Sequence, residues 1–134
     1  MKKLLKNKCK KIKLVLTDVD GVLTDGGRYY SEKSEIMKKF HVRDGMGVNI
    51  LLRNGISTAI VTKENSKIVK KWAKEMNVSK TYSGIKNKEK ELEKICKFYK
   101  ILPDEVAFIG DDVNDIELMK KVGFSVTPSD GILQ

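Results

Sequence analysis

Three features of the 134-residue sequence predict an α/β fold built on a doubly wound, mostly parallel sheet. Short apolar or β-branched runs alternate with segments of helical period, the pattern of right-handed βαβ units. The length suits one domain that buries roughly two-thirds of its unfolded surface. Clusters of aspartate follow two of the strand-like runs, at the carboxyl ends where open sheets place their sites.

The elements follow in order. Residues 1–11 hold six lysines and read as a basic N-terminal tail, frayed or folded as a basic amphipathic helix. Residues 12–134 read as a single domain. Residues 12–17 form a buried strand that runs into "TDVDG", with a turn at Gly21. "GGRYYSEKSEIMKKF" places strand-like residues on both sides of a Ser-Glu-Lys-Ser turn and reads as a β-hairpin flap flanked by His41. "RDGMGVNILLRNGI" reads as a short helix stopped at Asn54-Gly55, and "STAIVT" as a second buried strand.

Asn65 is the expected N-cap of a helix running to about Met76, with Ile68, Val69, Trp72 and Met76 on its core face. "TYSGI" is a third short strand, followed by a Lys- and Glu-rich helix over residues 88–99. "EVAFIG", "DIELMKKVG" and "FSVT" then read as strand, helix and strand.

Composition narrows the function. The net charge is +9, yet only three of the 27 basic residues are arginine, namely Arg28, Arg43 and Arg53. Arginine is the usual base reader and lysine the usual solvated face, so nucleic acid is not an expected partner; attraction for anionic substrates fits the same charge. No apolar run approaches the roughly 20 residues of a membrane span, and lysine resumes directly after Leu4 and Leu5. A cytoplasmic protein with no membrane partner is expected. Cys9 and Cys96 are too few and too far apart for a disulfide framework or a zinc site.

Asp18 and Asp20, Thr62, Lys88 and the run "GDDVND" (residues 110–115) fall at or just beyond strand ends. A doubly wound sheet gathers such positions at one edge. Carboxylates converging with a lysine and a hydroxyl suit a divalent cation and a phosphate. Mg²⁺ takes one or two carboxylates and leaves room for phosphate oxygens, and Asp18 and Asp111 could supply them. An aspartate can accept a phosphoryl group, and a second carboxyl must then protonate the leaving oxygen and activate water. Asp18 and Asp20 suit those two roles.

In "DVDGVLTDG", "VT" at residues 61–62, Lys88 in "NKEKEL" and "GDDVND", the sequence resembles the four motifs of the haloacid dehalogenase superfamily of phosphatases. The resemblance implies a HAD-like Rossmannoid sheet and an aspartyl-phosphate mechanism with Mg²⁺. It makes Asp18 the nucleophile, Asp20 the general acid/base and a backbone-carbonyl metal ligand, and Asp111 a direct metal ligand. Thr62, Lys88 and Asn114 would serve the phosphate, and Asp112 and Asp115 would stand behind the metal. For Asp112 and Asp115 the alternative is a plain helix-capping role.

The stretch between Asp18 and Thr62 leaves no room for the inserted cap domain common in the superfamily. Together with "KKFHVRDGMG" this resembles the capless sugar-acid phosphatases, whose substrates are octulosonate 8-phosphate or nonulosonate 9-phosphate, and the phosphatase-like domain of acylneuraminate cytidylyltransferases. That subgroup implies a homotetramer in which a hairpin helps to shape a neighbouring site, with Arg43 and Glu64 at the substrate. Glu64 in "TKENS" resembles the nine-carbon pattern, so nonulosonate 9-phosphate is the expected substrate; Lys63 departs from both patterns. The chain is expected to be short at its C-terminus relative to that subgroup. A non-catalytic regulatory or oligomerisation domain of a sugar-nucleotide synthetase is the alternative function.

Overall fold

The computed structural model describes residues 2–132. The core is a five-stranded parallel sheet of β1 (Leu14–Thr17), β4 (Ser57–Val61), β5 (Lys80–Tyr82), β6 (Val106–Ile109) and β7 (Phe124–Val126), in the order β5-β4-β1-β6-β7. β1 is central. The chain winds outward to β4 and β5 on one side and later to β6 and β7 on the other, so the winding direction reverses beside β1. Open α/β sheets bind their ligands at such a reversal, outside the strands' carboxyl ends.

Side-chain alternation along β1 and β4 divides the core between the two faces. Leu14, Leu16, Ala59, Val61 and Phe108 pack with Leu92, Ile95 and Cys96 of α4 (Lys88–Tyr99) and Leu118 of α5 (Ile116–Lys121). Ile60 packs on the other face with Val19, Leu23, and Val69 and Ala73 of α3 (Lys67–Glu75). Trp72 is half-buried there and stacks on Phe40 with ring centroids 4.6 Å apart, a core role. α2 (Val42–Arg53) packs against β4.

The expected hairpin is a separate two-stranded antiparallel sheet, β2 (Tyr29–Tyr30) with β3 (Glu35–Met37). No cap domain separates β1 from β4. His41 is the N-cap of α2, its ring Nδ1 accepting the Arg43 N–H at 3.1 Å.

Local expectations change at three places. Residues 2–11 form a helix, α1 (Lys2–Lys11), rather than a frayed tail; lysine and leucine favour helix, no Gly or Pro interrupts them, and none of the segment is buried. Ser66, not Asn65, caps α3, its hydroxyl accepting the Val69 N–H at 3.3 Å, while the Asn65 side chain accepts from Lys70. The third strand is Lys80–Tyr82, earlier than "TYSGI", because it runs in register with β4 from Ala59 to Val61 and ends where β4 ends. Gly84 then turns at φ +70°.

Candidate active site

Asp18 extends the ladder of β1 by one residue. Its N–H donates to the Ile109 carbonyl at 3.0 Å, and the Thr17 hydroxyl donates to the Asp18 carbonyl at 2.8 Å. The backbone therefore fixes the carboxylate at the sheet edge. Oδ1 accepts the Val19 N–H at 2.7 Å and lies 3.0 Å from Lys88 Nζ. Burial pushes the Asp18 carboxyl up to about 7; the Lys88 charge opposes that rise and the nearby Asp115 charge adds to it.

Lys88 opens α4 with only 4% of its side chain exposed. Its second partner is Asp115 Oδ1 at 2.7 Å. Asp115 is fully buried, and its Oδ2 accepts the N–H groups of Asp111 at 3.0 Å and Asp112 at 3.3 Å. Both of its oxygens are thus committed to shaping the loop after β6. Gly110 must lack a side chain, since a Cβ there would stand 2.7 Å from the Asp115 side chain. The Asp112 side chain accepts the Val113 N–H at 2.7 Å, the capping role.

Asp111 faces Asp18 across this loop. Its carboxyl is also pushed above the ordinary range, first by burial and then by the Asp115 charge. Its Oδ1 is buried with no hydrogen-bond partner among the described residues. Gly21 makes room for the other oxygen: it takes φ +85°, and a Cβ there would fall 1.8 Å from Asp111 Oδ2.

Asp18, Asp111 and Asp115 each bring a carboxylate oxygen within 4.8 Å of the others. Crowded carboxylates with an orphaned buried oxygen are what a hard divalent cation would relieve. With both Asp115 oxygens already bonded, Asp18 and Asp111 are the two with oxygens to give. The Asp20 side chain is not in this group.

A cleft of about 120 Å³ is lined by Asp18, Asp20, Thr62, Glu64, Lys88 and Asn114, together with Asp111 and Asp112. The fold thus gathers most of the residues picked out from the sequence. Thr62 is 3% exposed just past β4, its N–H donating to the Tyr82 carbonyl at 2.9 Å. Lys63 and Lys86 add two exposed cations to the lining. Arg43 does not join them. It lies in the first turn of α2 and lines a different cavity of about 320 Å³, with Thr17, Thr58 and Val126.

Two residues of this neighbourhood carried no signal in the sequence. Lys38 Nζ sits 2.6 Å from Asp20 Oδ1, and Arg28 Nη2 sits 3.5 Å from Glu64 Oε2. Adjacent Lys38 and Lys39 are the same residue type, and only the packing of the hairpin distinguishes them.

A family model of haloacid dehalogenase-like hydrolases matches residues 54–132. The 3-deoxy-D-manno-octulosonate 8-phosphate phosphatase of Escherichia coli is 37% identical over 123 residues, which is 92% of this chain and 65% of that protein. The chain therefore spans a little under two-thirds of the length of that curated relative. The same enzyme from Moraxella catarrhalis, solved with magnesium, phosphate and 3-deoxy-octulosonate, superposes with a TM-score of 0.95 at 34% identity, covering all of this chain and 77% of that one. A cobalt-bound Haemophilus influenzae phosphatase gives 0.90 at 34% identity, covering 93% of this chain and 73% of that one. Fold, strand-end carboxylates and sequence agree, and the chain belongs to the haloacid dehalogenase-like hydrolases.

Proposed function

We propose that the chain is a Mg²⁺-dependent phosphomonoesterase acting on a phosphorylated sugar acid through an aspartyl-phosphate. The observation that carries this reading is the pairing of a rigidly held Asp18 with Lys88 at 3.0 Å, beside an Asp111 oxygen that has no partner. The similarity to phosphatases of that substrate class supports it.

Asp18 and Asp111 would hold Mg²⁺, with the Asp20 backbone carbonyl as a further oxygen. When bound, the ion neutralises charge on the phosphate and keeps Asp18 ionised. The chain's own residues do the rest. An Asp18 oxygen attacks phosphorus and the ester P–O bond breaks, while Asp20 gives its proton to the leaving oxygen. Asp20 then takes a proton from water, whose oxygen attacks the phosphoryl group and frees Asp18 and inorganic phosphate. Lys88 offsets the added negative charge, Thr62 and Asn114 meet the phosphate oxygens, and Asp112 and Asp115 shape the loop behind.

For the substrate, two readings have a specific support. The similarity favours 3-deoxy-octulosonate 8-phosphate. The nine-carbon acid rests on Glu64, which lines the cleft and would repel the carboxylate of the shorter substrate. Arg28, 3.5 Å from Glu64, offsets part of that repulsion, so the eight-carbon acid is the first choice. Arg43 lies away from the cleft of its own chain and would reach a substrate only by a different route, so Glu64 is the substrate contact to vary. Side-by-side kcat/KM values for the two acids on wild type and Glu64→Arg decide the matter. A higher value for the octulosonate in the wild type supports this choice. A higher value for the nonulosonate, lost in the variant, establishes the Glu64 reading instead. Absence of phosphate release from both, with Mg²⁺ present, would favour the non-catalytic alternative.

A further inference from the structure

We propose that Lys38 is a positioning residue for the proton-transferring carboxylate, holding Asp20 from the hairpin; this rests on the phosphatase reading above. Its side chain is fully buried, which for an ammonium group requires counter-charges in contact. Two are present. Asp20 Oδ1 lies at 2.6 Å and Glu35 Oε2 at 3.3 Å.

Neither partner is incidental. The same Glu35 oxygen accepts from Arg28 Nε at 2.8 Å, and Arg28 continues to Glu64 at 3.5 Å. Glu64, Arg28, Glu35, Lys38 and Asp20 therefore form a row of alternating charges that starts and ends in the lining of the cleft. Glu35 belongs to β3 and Arg28 immediately precedes β2, so the hairpin carries the middle of the row. Asp20 itself sits in the turn after β1, with 27% of its side chain exposed. Among the described residues Lys38 is the only side chain that bonds the Asp20 carboxylate.

The consequence is chemical. Asp20 must face the leaving oxygen in the first half of the reaction, as the ester bond breaks and its proton departs. Freed from Lys38, the carboxylate would sample other rotamers, and proton delivery would fail more often than phosphate binding. An alkyl ester leaves as a poor alkoxide and needs that proton. A p-nitrophenolate departs without it.

The test compares kcat/KM for octulosonate 8-phosphate and p-nitrophenyl phosphate, with Mg²⁺, in wild type, Lys38→Met, Asp20→Asn and the double variant. This constant covers only steps through phosphoryl transfer to Asp18, so later hydrolysis does not enter. Lys38→Met is expected to lose about 30-fold or more on the sugar-acid phosphate and under about 3-fold on the aryl ester. Asp20→Asn should show the same selective loss, and the double variant should lose little beyond Asp20→Asn alone, because both changes act on one group. Glu35→Gln, which removes the second anchor while keeping its shape, should show a smaller loss of the same selectivity and carries the test if Lys38→Met does not fold. Equal losses on both esters, or additive losses in the double variant, would overturn the proposal. Wild type inactive on both esters would remove the phosphatase reading and this proposal together.

Discussion

Lys88 Nζ stands 3.0 Å from Asp18 Oδ1 and 2.7 Å from Asp115 Oδ1, with 4% of its side chain exposed. One buried cation thus ties Asp18, the proposed nucleophile at the end of β1, to the carboxylate that shapes the loop after β6. Replacing it by methionine would leave two buried carboxylates without their partner. Lys88→Met is expected to lower the unfolding free energy by about 3 kcal/mol and kcat by about a hundredfold. Denaturant unfolding and a phosphate-release assay check the two parts, and unchanged stability would contradict the burial argument.

The raised carboxyl of Asp18 has a pH signature. Its value moves from 3.8 to about 7, so between those limits the folded protein keeps a proton that the unfolded chain has released. Stability of the metal-free protein should therefore fall as pH rises through that window, and Asp111 acts in the same direction. A cation binds the ionised carboxylates and displaces the protons. The rise in Tm on adding Mg²⁺ should accordingly be larger near pH 8 than near pH 5. Thermal melts at both values, with Mg²⁺ and with chelator, would contradict this if the rise were equal or reversed.

Gly21 is expected to tolerate no side chain. Alanine there meets both the φ of +85° and the 1.8 Å approach to Asp111 Oδ2. Gly21→Ala should cost about 1–3 kcal/mol of stability and displace Asp111, raising the Mg²⁺ concentration for half-maximal rate. A metal titration matching wild type would show that the Asp111 position is not critical.

The hairpin bears on assembly. Tyr29, Tyr30, Ile36 and Met37 are each at least 49% exposed in this single chain, a concentrated apolar surface on two short strands. Burial against sister chains, in a tetramer, is expected. Light scattering at roughly tens of micromolar checks the mass, and a monomer would contradict it.

The positions of the candidate site were legible in the sequence where they sit at strand ends. Asp18, Thr62 and the loop at residues 110–115 follow buried apolar runs, so their convergence needed only the sheet topology. Lys88 was legible as the first residue of a helix with a strong charge pattern. What stayed hidden depends on contacts between distant segments. The limits of β5 are set by its parallel register with β4, and the burial of Lys38 by the fold of the hairpin against the turn after β1. Arg43 illustrates the converse: its motif suggested a substrate contact, while the first turn of α2 places it in another cavity. Ser66 displaced Asn65 as the cap by a single position, a distinction that depends on which side chain meets the Val69 N–H.

Whether Asp18 accepts the phosphoryl group is tested most directly by trapping the intermediate. Asp20→Asn keeps the nucleophile but lacks the base for the second half-reaction, and p-nitrophenyl phosphate needs no acid for the first. Acid quenching during turnover with Mg²⁺, borohydride reduction and peptide mass analysis should therefore find homoserine in place of Asp18. p-Nitrophenolate released in a burst with Asp18 unmodified, or label on another residue, would contradict the mechanism.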